Sequence, residues 1–268
     1  MTVGEAVIAA AERLDTEPAR LDAEVLMAHQ LSRSRSWVLA HTGDTLPANE
    51  LAGFSTLIDR RQTGVPVAQL TGRREFYGRE FGVTADVLVP RPESELLVET
   101  VLASLKGIGQ LIDVGTGSGC LAVTCKLERP ELAVVATDRS PAALAVARRN
   151  ADQLAAEVMF READLLPAEL PDPARTVVMA NLPYVPDDDY AGNPDLRHEP
   201  ALALRGGSDG LAVINRLFDQ LEGRSWFPAM LALEIDPSQV DAIEQRAAWP
   251  IEVRPDLAGR DRIVVIRA

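Results

Sequence analysis

The sequence predicts an α/β protein: a doubly wound, mostly parallel sheet with an antiparallel last strand, preceded by a small helical bundle. Three observations carry that reading. From residue 110 onward, apolar runs of strand length alternate with helical stretches, the pattern of a parallel sheet covered on both faces. The final stretch, IEVRPDLAGRDRIVVIRA, holds two short strands with no helix between them, so the last strand turns back. The first third repeats its apolar residues at helical spacing.

Each element has its own signal. Val3, Ala6, Val7, Ala10 and Leu14 keep a 3.6-residue rhythm. Pro18 opens a second helix carrying Leu21, Val25 and Ala28, because proline suits a first helical turn. Trp37 to Leu39 belong to a short third helix. Leu51, Phe54, Leu57 and Ile58 line a fourth, which stops near Gly64. Residues 75–89 are aromatic and β-branched, punctuated by Gly78 and Gly82, and read as a hairpin. Pro92 starts a helix that runs through Glu93 to Leu105, with Glu93 and Glu95 at its positive end. Strands follow over 111–114, 132–137, 158–161, 176–180 and 230–235, and helices over 121–128, 141–153 and 211–221. The domains expected are a helical bundle over 1–74, a linking hairpin over 75–90 and the sheet domain over 91–268.

Composition narrows the function. The chain has 268 residues, 47% of them hydrophobic, enough for a core in one large and one small domain. Its net charge of -13 repels phosphate backbones, so direct nucleic-acid binding is not expected. Cys120 and Cys125 make no disulfide framework, and His29, His41 and His198 lack metal-ligand spacing, so no metal is expected. The start, MTVGEAVIAAAERLD, has no basic leader, and no long uncharged apolar run occurs. A cytoplasmic monomer, away from membranes, is the default.

Chemistry enters with LIDVGTGSGC. A strand ends at Val114, and Gly115, Gly117 and Gly119 follow before a helix, letting the backbone turn tightly and approach a ligand. The spacing is G-x-G-x-G, which differs from the dinucleotide fingerprint. Asp138 closes the next strand and is placed to accept the two hydroxyls of a ribose. The two features together indicate a nucleoside. Asp164 and Leu165 follow the third strand, where an adenine would meet a hydrogen-bonding and a packing group; an ordinary loop aspartate explains Asp164 nearly as well. The fourth strand, TVVMA, runs into Asn181, Leu182, Pro183 and Tyr184. Pro183 holds Leu182 extended, so the segment presents two acceptors, the Asn181 side-chain oxygen and the Leu182 carbonyl, beside the flat face of Tyr184. Those groups suit a planar –NH2 group.

The motifs resemble those of the release-factor glutamine methyltransferases. VPRPESELLVE, DVGTGSG, TDRSPAALAVARRNA, Asn-x-Pro-Tyr at 181–184 and HEPALALRGGSDGL follow in that family's order across nearly the whole chain. The resemblance implies a Rossmann-like S-adenosylmethionine methyltransferase sheet. Cofactor contacts would come from Gly115, Thr116, Gly117, Ser118, Gly119, Asp138, Asp164, Leu165 and Asn181. Catalytic contacts would come from Asn181, Leu182, Pro183 and Tyr184, which would hold the target amide together with Arg91 and Pro92. The target implied is the glutamine of the Gly-Gly-Gln motif in peptide chain release factors, with the N-terminal bundle docking that protein. One departure is visible: the family has proline where this chain has Leu182. The alternatives are an adenine-amino methyltransferase acting on RNA and a non-catalytic cofactor-binding docking module, with a nicotinamide oxidoreductase more distant.

Overall fold

The computed structural model describes residues 1–268, apart from the side chains of residues 194 and 195. It divides into two compact units, Met1–Arg73 and Arg74–Ala268.

The first unit holds α1 (Val3–Arg13), α2 (Ala19–Gln30), α3 (Arg35–Ala40), α4 (Ala48–Gln62) and α5 (Val67–Thr71). A capping box starts α1: Thr2 Oγ1 accepts from the Glu5 amide at 3.2 Å, and Glu5 accepts from the Thr2 amide at 2.7 Å. The predicted face of α1 is buried. That of α2 is rotated: Leu21 is exposed, while Ala23, Leu26 and Met27 turn inward with Ala28. Small Ala23 packs in one cluster with Ala6 and Ala10, where helices approach closely. Helix α5, absent from the sequence reading, ends at Gly72 with φ of 73°. Glu24 is buried in this unit, yet its oxygens accept from Arg20 Nε at 2.9 Å and Arg35 Nε at 2.8 Å. Burial pushes the Glu24 carboxyl upward, but the two arginines outweigh it and hold it below its ordinary range.

Strands β1 (Arg73–Phe76) and β2 (Arg79–Gly82) form a hairpin. Its turn residues, Tyr77 and Gly78, have φ of 51° and 70°, as a tight hairpin turn requires. The hairpin stops at Gly82, short of the expected residue 89. Val83, Val87 and Val89 are buried, so their β-branched character serves packing rather than strand pairing. Pro92–Ser94 form a 3₁₀ turn, and α6 (Glu95–Leu102) follows, shorter than expected.

The remaining elements are β3 (Gln110–Val114), α7 (Cys120–Glu128), β4 (Ala133–Asp138), α8 (Pro141–Gln153), β5 (Met159–Glu162), β6 (Thr176–Asn181), α9 (Asp187–Gly192), α10 (Ala201–Leu204), α11 (Ala212–Gly223), β7 (Met230–Glu234), α12 (Val240–Arg246), β8 (Ile251–Pro255) and β9 (Asp261–Ile266). The sheet order is β5-β4-β3-β6-β7-β9-β8. Strands β5 to β7 in that order are parallel; β9 is antiparallel to β7 and β8. Alternation splits each central strand between two cores. Leu111, Val177 and Met179 face one, and Ile112, Val178 and Ala180 the other. Sequence order reverses between β3 and β6, and the crevice beyond their carboxyl ends is where such sheets bind ligands. Asn150 of α8 is a buried cross-tie there. Its Oδ1 accepts from the Gly82 amide at 2.7 Å, and its Nδ2 donates to the carbonyls of Gly82 at 3.0 Å and Ser118 at 2.8 Å.

Candidate active site

A cavity of about 530 Å³ opens at that crevice. The glycine loop after β3 forms one wall. Gly115, Gly117 and Gly119 have φ of 75°, 54° and 82°. The amides of Gly115 and Thr116 donate to the Thr137 carbonyl at 2.9 and 2.8 Å, so β4 anchors the loop. A Cβ on Gly117 would meet no atom within 4 Å, which leaves its backbone open for close approach. A Cβ on Gly119 would lie 3.0 Å from Ala147 Cβ. Gly119 therefore serves helix packing, and it is not on the cavity wall, whereas Thr116 and Ser118 are.

Asp138 ends β4 on the wall. Its Oδ2 accepts from the Gly117 amide and its Oδ1 from the Ser140 amide, each at 2.9 Å. A carboxylate has about four acceptor positions, so lone pairs remain for a diol. Ser140 caps α8 by accepting from the Ala143 amide at 3.2 Å. Asp164 also lines the cavity, but its carboxylate pairs with Arg216. Leu165 is buried at φ of 74°, and its carbonyl accepts from Thr137 Oγ1 at 2.7 Å, which fixes the turn.

Asn181 ends β6, and its Nδ2 donates to Ser94 Oγ at 3.0 Å. Its Oδ1 has no hydrogen-bond partner among the described residues, and the residue lines the cavity. Leu182 and Pro183 line it too. The Leu182 side chain is buried, and a Cβ on Gly115 would meet its Cδ2 at 3.1 Å, so it supports the glycine loop from beneath.

Tyr184 is not among the residues that line the cavity. Its hydroxyl instead reaches the Glu234 carboxylate at 3.5 Å, and its carbonyl accepts from Gln239 Nε2 at 3.3 Å. Burial, with Glu234 adding to it, pushes the phenol well up. Arg91 lines the cavity and Pro92 does not, since Pro92 already belongs to the turn that starts α6. Arg91 pairs with Glu199, which also accepts from the Val89 amide at 2.8 Å. Glu199 thus joins the PRPESE and HEPALAL segments at one wall. No cluster of three or more metal-binding side chains occurs among the described residues.

Sequence reasoning missed Ser94, Glu199 and Glu234. The signal for Glu234 was a lone carboxylate ending a wholly buried strand, β7. Burial pushes that carboxyl up, against the pull of Ser94, Arg262 and Tyr184. Asp113, beneath the glycine loop, is also buried. Its Oδ2 accepts from Thr116 Oγ1 at 2.6 Å, Oδ1 has no hydrogen-bond partner, and burial raises the carboxyl to about 7. Cys120 on the wall is raised to about 12 by burial and is not a thiolate nucleophile.

Two family profiles match the chain: the PrmC N-terminal domain over residues 5–72 and the methyltransferase small domain over residues 92–199. A release factor glutamine methyltransferase of Burkholderia pseudomallei is 45% identical over 270 residues, covering 94% of each chain. One from Bordetella pertussis is 41% identical over 252 residues, covering 91% of this chain and 93% of its own. The chain belongs to the release factor glutamine methyltransferase family. It is accordingly an S-adenosylmethionine-dependent methyltransferase. The Rossmann-like methyltransferase sheet recurs in solved structures of low identity. They include a methyltransferase from Pyrococcus furiosus (16% identity, TM-score 0.52, 80% of this chain and 96% of that one) and the hMettl16 catalytic domain in complex with an RNA hairpin (12%, 0.59, 78% and 82%). The cavity fits the family's cofactor: Gly117 admits close approach, Asp138 keeps acceptor capacity for a ribose, and Leu165 adds an apolar wall. Among the described residues, no helix is long and apolar enough to cross a membrane.

Proposed function

We propose that this protein methylates the side-chain amide nitrogen of the glutamine in the Gly-Gly-Gln motif of peptide chain release factors. The observation that carries the reading is the orientation of Asn181. Its nitrogen is held by Ser94, and its oxygen is left as an acceptor on the cavity wall beside the glycine loop. The names of the Burkholderia and Bordetella relatives support the substrate.

S-adenosylmethionine, when bound, supplies a methyl group already activated on a sulfonium. The protein's task is positioning, because an amide nitrogen is a weak nucleophile whose lone pair is conjugated with its carbonyl. Gly115, Thr116, Gly117, Ser118, Asp138, Asp164 and Leu165 form the cofactor side. Asn181 Oδ1 and the Leu182 carbonyl accept the two N–H bonds of the target and favour positive charge growing on its nitrogen. Pro183 keeps Leu182 extended. Arg91, tied to Glu199, forms the substrate-side wall, and one proton leaves to water after transfer. The first unit is assigned to docking the protein substrate. Its own closed core and its exposed Ile8 and Leu39 support that role.

The test is incubation with labelled cofactor, intact release factors and ribosomal RNA. Label on the Gly-Gly-Gln glutamine is expected, and label on RNA adenine alone would refute the reading.

A further inference from the structure

Glu234 is the least explained charge in the molecule. It is 1% exposed, ends β7, and pairs in register with Asn181 of the neighbouring β6. Its Oε1 accepts from the Tyr184 hydroxyl, and its Oε2 is enclosed with no hydrogen-bond partner among the described residues. The nearest influential cation, Arg262, is instead hydrogen-bonded to Asp256 and the Ile235 carbonyl, each at 3.3 Å. Burying a carboxylate without an ion pair costs several kcal/mol, so the fold alone gives no reason to keep it.

The site gives one. A side-chain amide has two nearly isosteric orientations, and only one presents oxygen to the cavity. Asn181 shows that orientation because Ser94 Oγ accepts from Nδ2. A hydroxyl either donates or accepts, so Ser94 alone leaves the choice open. Ser94 is buried, and Glu234, when ionised, offers a neighbouring hydroxyl only acceptors. If the hydroxyl proton is directed at the unpartnered Oε2 of Glu234, a Ser94 lone pair is left for Asn181.

We propose that Glu234 is a positioning residue that fixes, through Ser94, which end of the Asn181 amide faces the reacting nitrogen, while its other oxygen holds the Tyr184 hydroxyl. This rests on the glutamine-methylation reading for its rate consequence, not for its geometric one.

Glu234→Gln tests the polarity with little change of volume. Tyr184 needs an acceptor, so the new amide turns its oxygen to Tyr184 and its NH2 to Ser94. Ser94 then donates to Asn181, and the Asn181 amide reverses. In the full-length protein we expect kcat to fall roughly 10–100-fold, as for other residues that orient a contacting group. KM, S-adenosylhomocysteine affinity and Tm should stay within about twofold or a few degrees of wild type. Ser94→Ala should lose a similar factor, Ser94→Thr should recover most of it, and the Glu234→Gln/Ser94→Ala double variant should lose no more than either single variant. Unchanged kcat overturns the proposal, as does a fall in kcat matched by losses in Tm and cofactor affinity. A second readout needs no substrate. With S-adenosylhomocysteine bound, the Asn181 side-chain NH2 protons should exchange with solvent faster in Glu234→Gln than in wild type. Equal exchange overturns the proposal even if the wild-type substrate proves to be something other than a release factor. A wild type that leaves release factors unmethylated, with the exchange difference intact, refutes only the substrate.

Discussion

The two units bury their carboxylates in opposite ways. In the helical unit, Glu24 is enclosed but clamped by Arg20 and Arg35. In the sheet unit, Asp113 and Glu234 are enclosed with one oxygen each unpartnered and no direct ion pair. The first arrangement neutralises a charge and ties α2 to α3. The second keeps acceptor capacity at the carboxyl ends of β3 and β7, at a cost in stability. Buried polar groups are normally satisfied, so an unpartnered carboxylate oxygen calls for an explanation. The difference teaches that burial alone does not single out an acid; burial with one oxygen unpartnered, near the carboxyl end of a central strand, marks one to test.

Variants can break that contrast. The largest effect should come from Asn181→Ala, which removes the acceptor that the sheet unit keeps free. On the order of 10²–10³ should be lost from kcat, with Tm little changed, in a steady-state assay on a release factor. Near-normal kcat would leave Asn181 as a strand end. Next comes Asp113→Asn. The Asp113 carboxyl is raised to about 7 in the folded protein, above its ordinary value of 3.8. The native state then holds a proton that the unfolded chain releases, so this group makes the wild type less stable as pH rises from about 4 to about 7. Denaturation of both proteins across that range should show the difference moving toward the variant by on the order of 2–4 kcal/mol, then levelling. A pH-independent difference would show that Asp113 is charged throughout.

Asp138→Ala should weaken S-adenosylhomocysteine binding by about 1.5–3 kcal/mol, the worth of a hydrogen bond to a charged group, as calorimetry reads it. Unaltered affinity would remove Asp138 from the cofactor side. Glu24→Gln sharpens the comparison from the other unit. It should cost about 1–2 kcal/mol of stability, since both arginines are half exposed or more, and leave kcat unchanged. A fall in kcat at full stability would place Glu24 among the functional acids. The smallest effect is expected from Leu182→Pro. It removes about one buried carbon beneath Gly115, costing about 1 kcal/mol of stability, with kcat preserved. A large loss of rate would show that the Leu182 N–H makes an essential bond.

Most of the scaffold was legible because it rests on periodicity. The parallel strands, the turned-back β9 and the Ser140 cap each follow from local pattern. The face of α2 was not, because Leu21 and Val25 satisfy a helical stripe that the tight Ala6–Ala10–Ala23 packing overrides. The stretch 83–89 was misread because β-branched residues serve a buried irregular wall as well as a strand. In the site, Gly115, Asp138 and Asn181 were readable as strand-end residues. Ser94, Glu199 and Glu234 were not, since each acts on a partner 87, 108 or 50 positions away.

The cross-tie at Asn150 has one more consequence. A single side chain grips both polar groups of Gly82, where the 83–91 wall begins, and the carbonyl of Ser118 in the glycine loop. The two sides of the crevice are therefore braced against one strut, and stiffening either one limits the freedom of the other. Whatever quiets the glycine loop is thus felt, through α8, at the Gly82 end of the opposite wall.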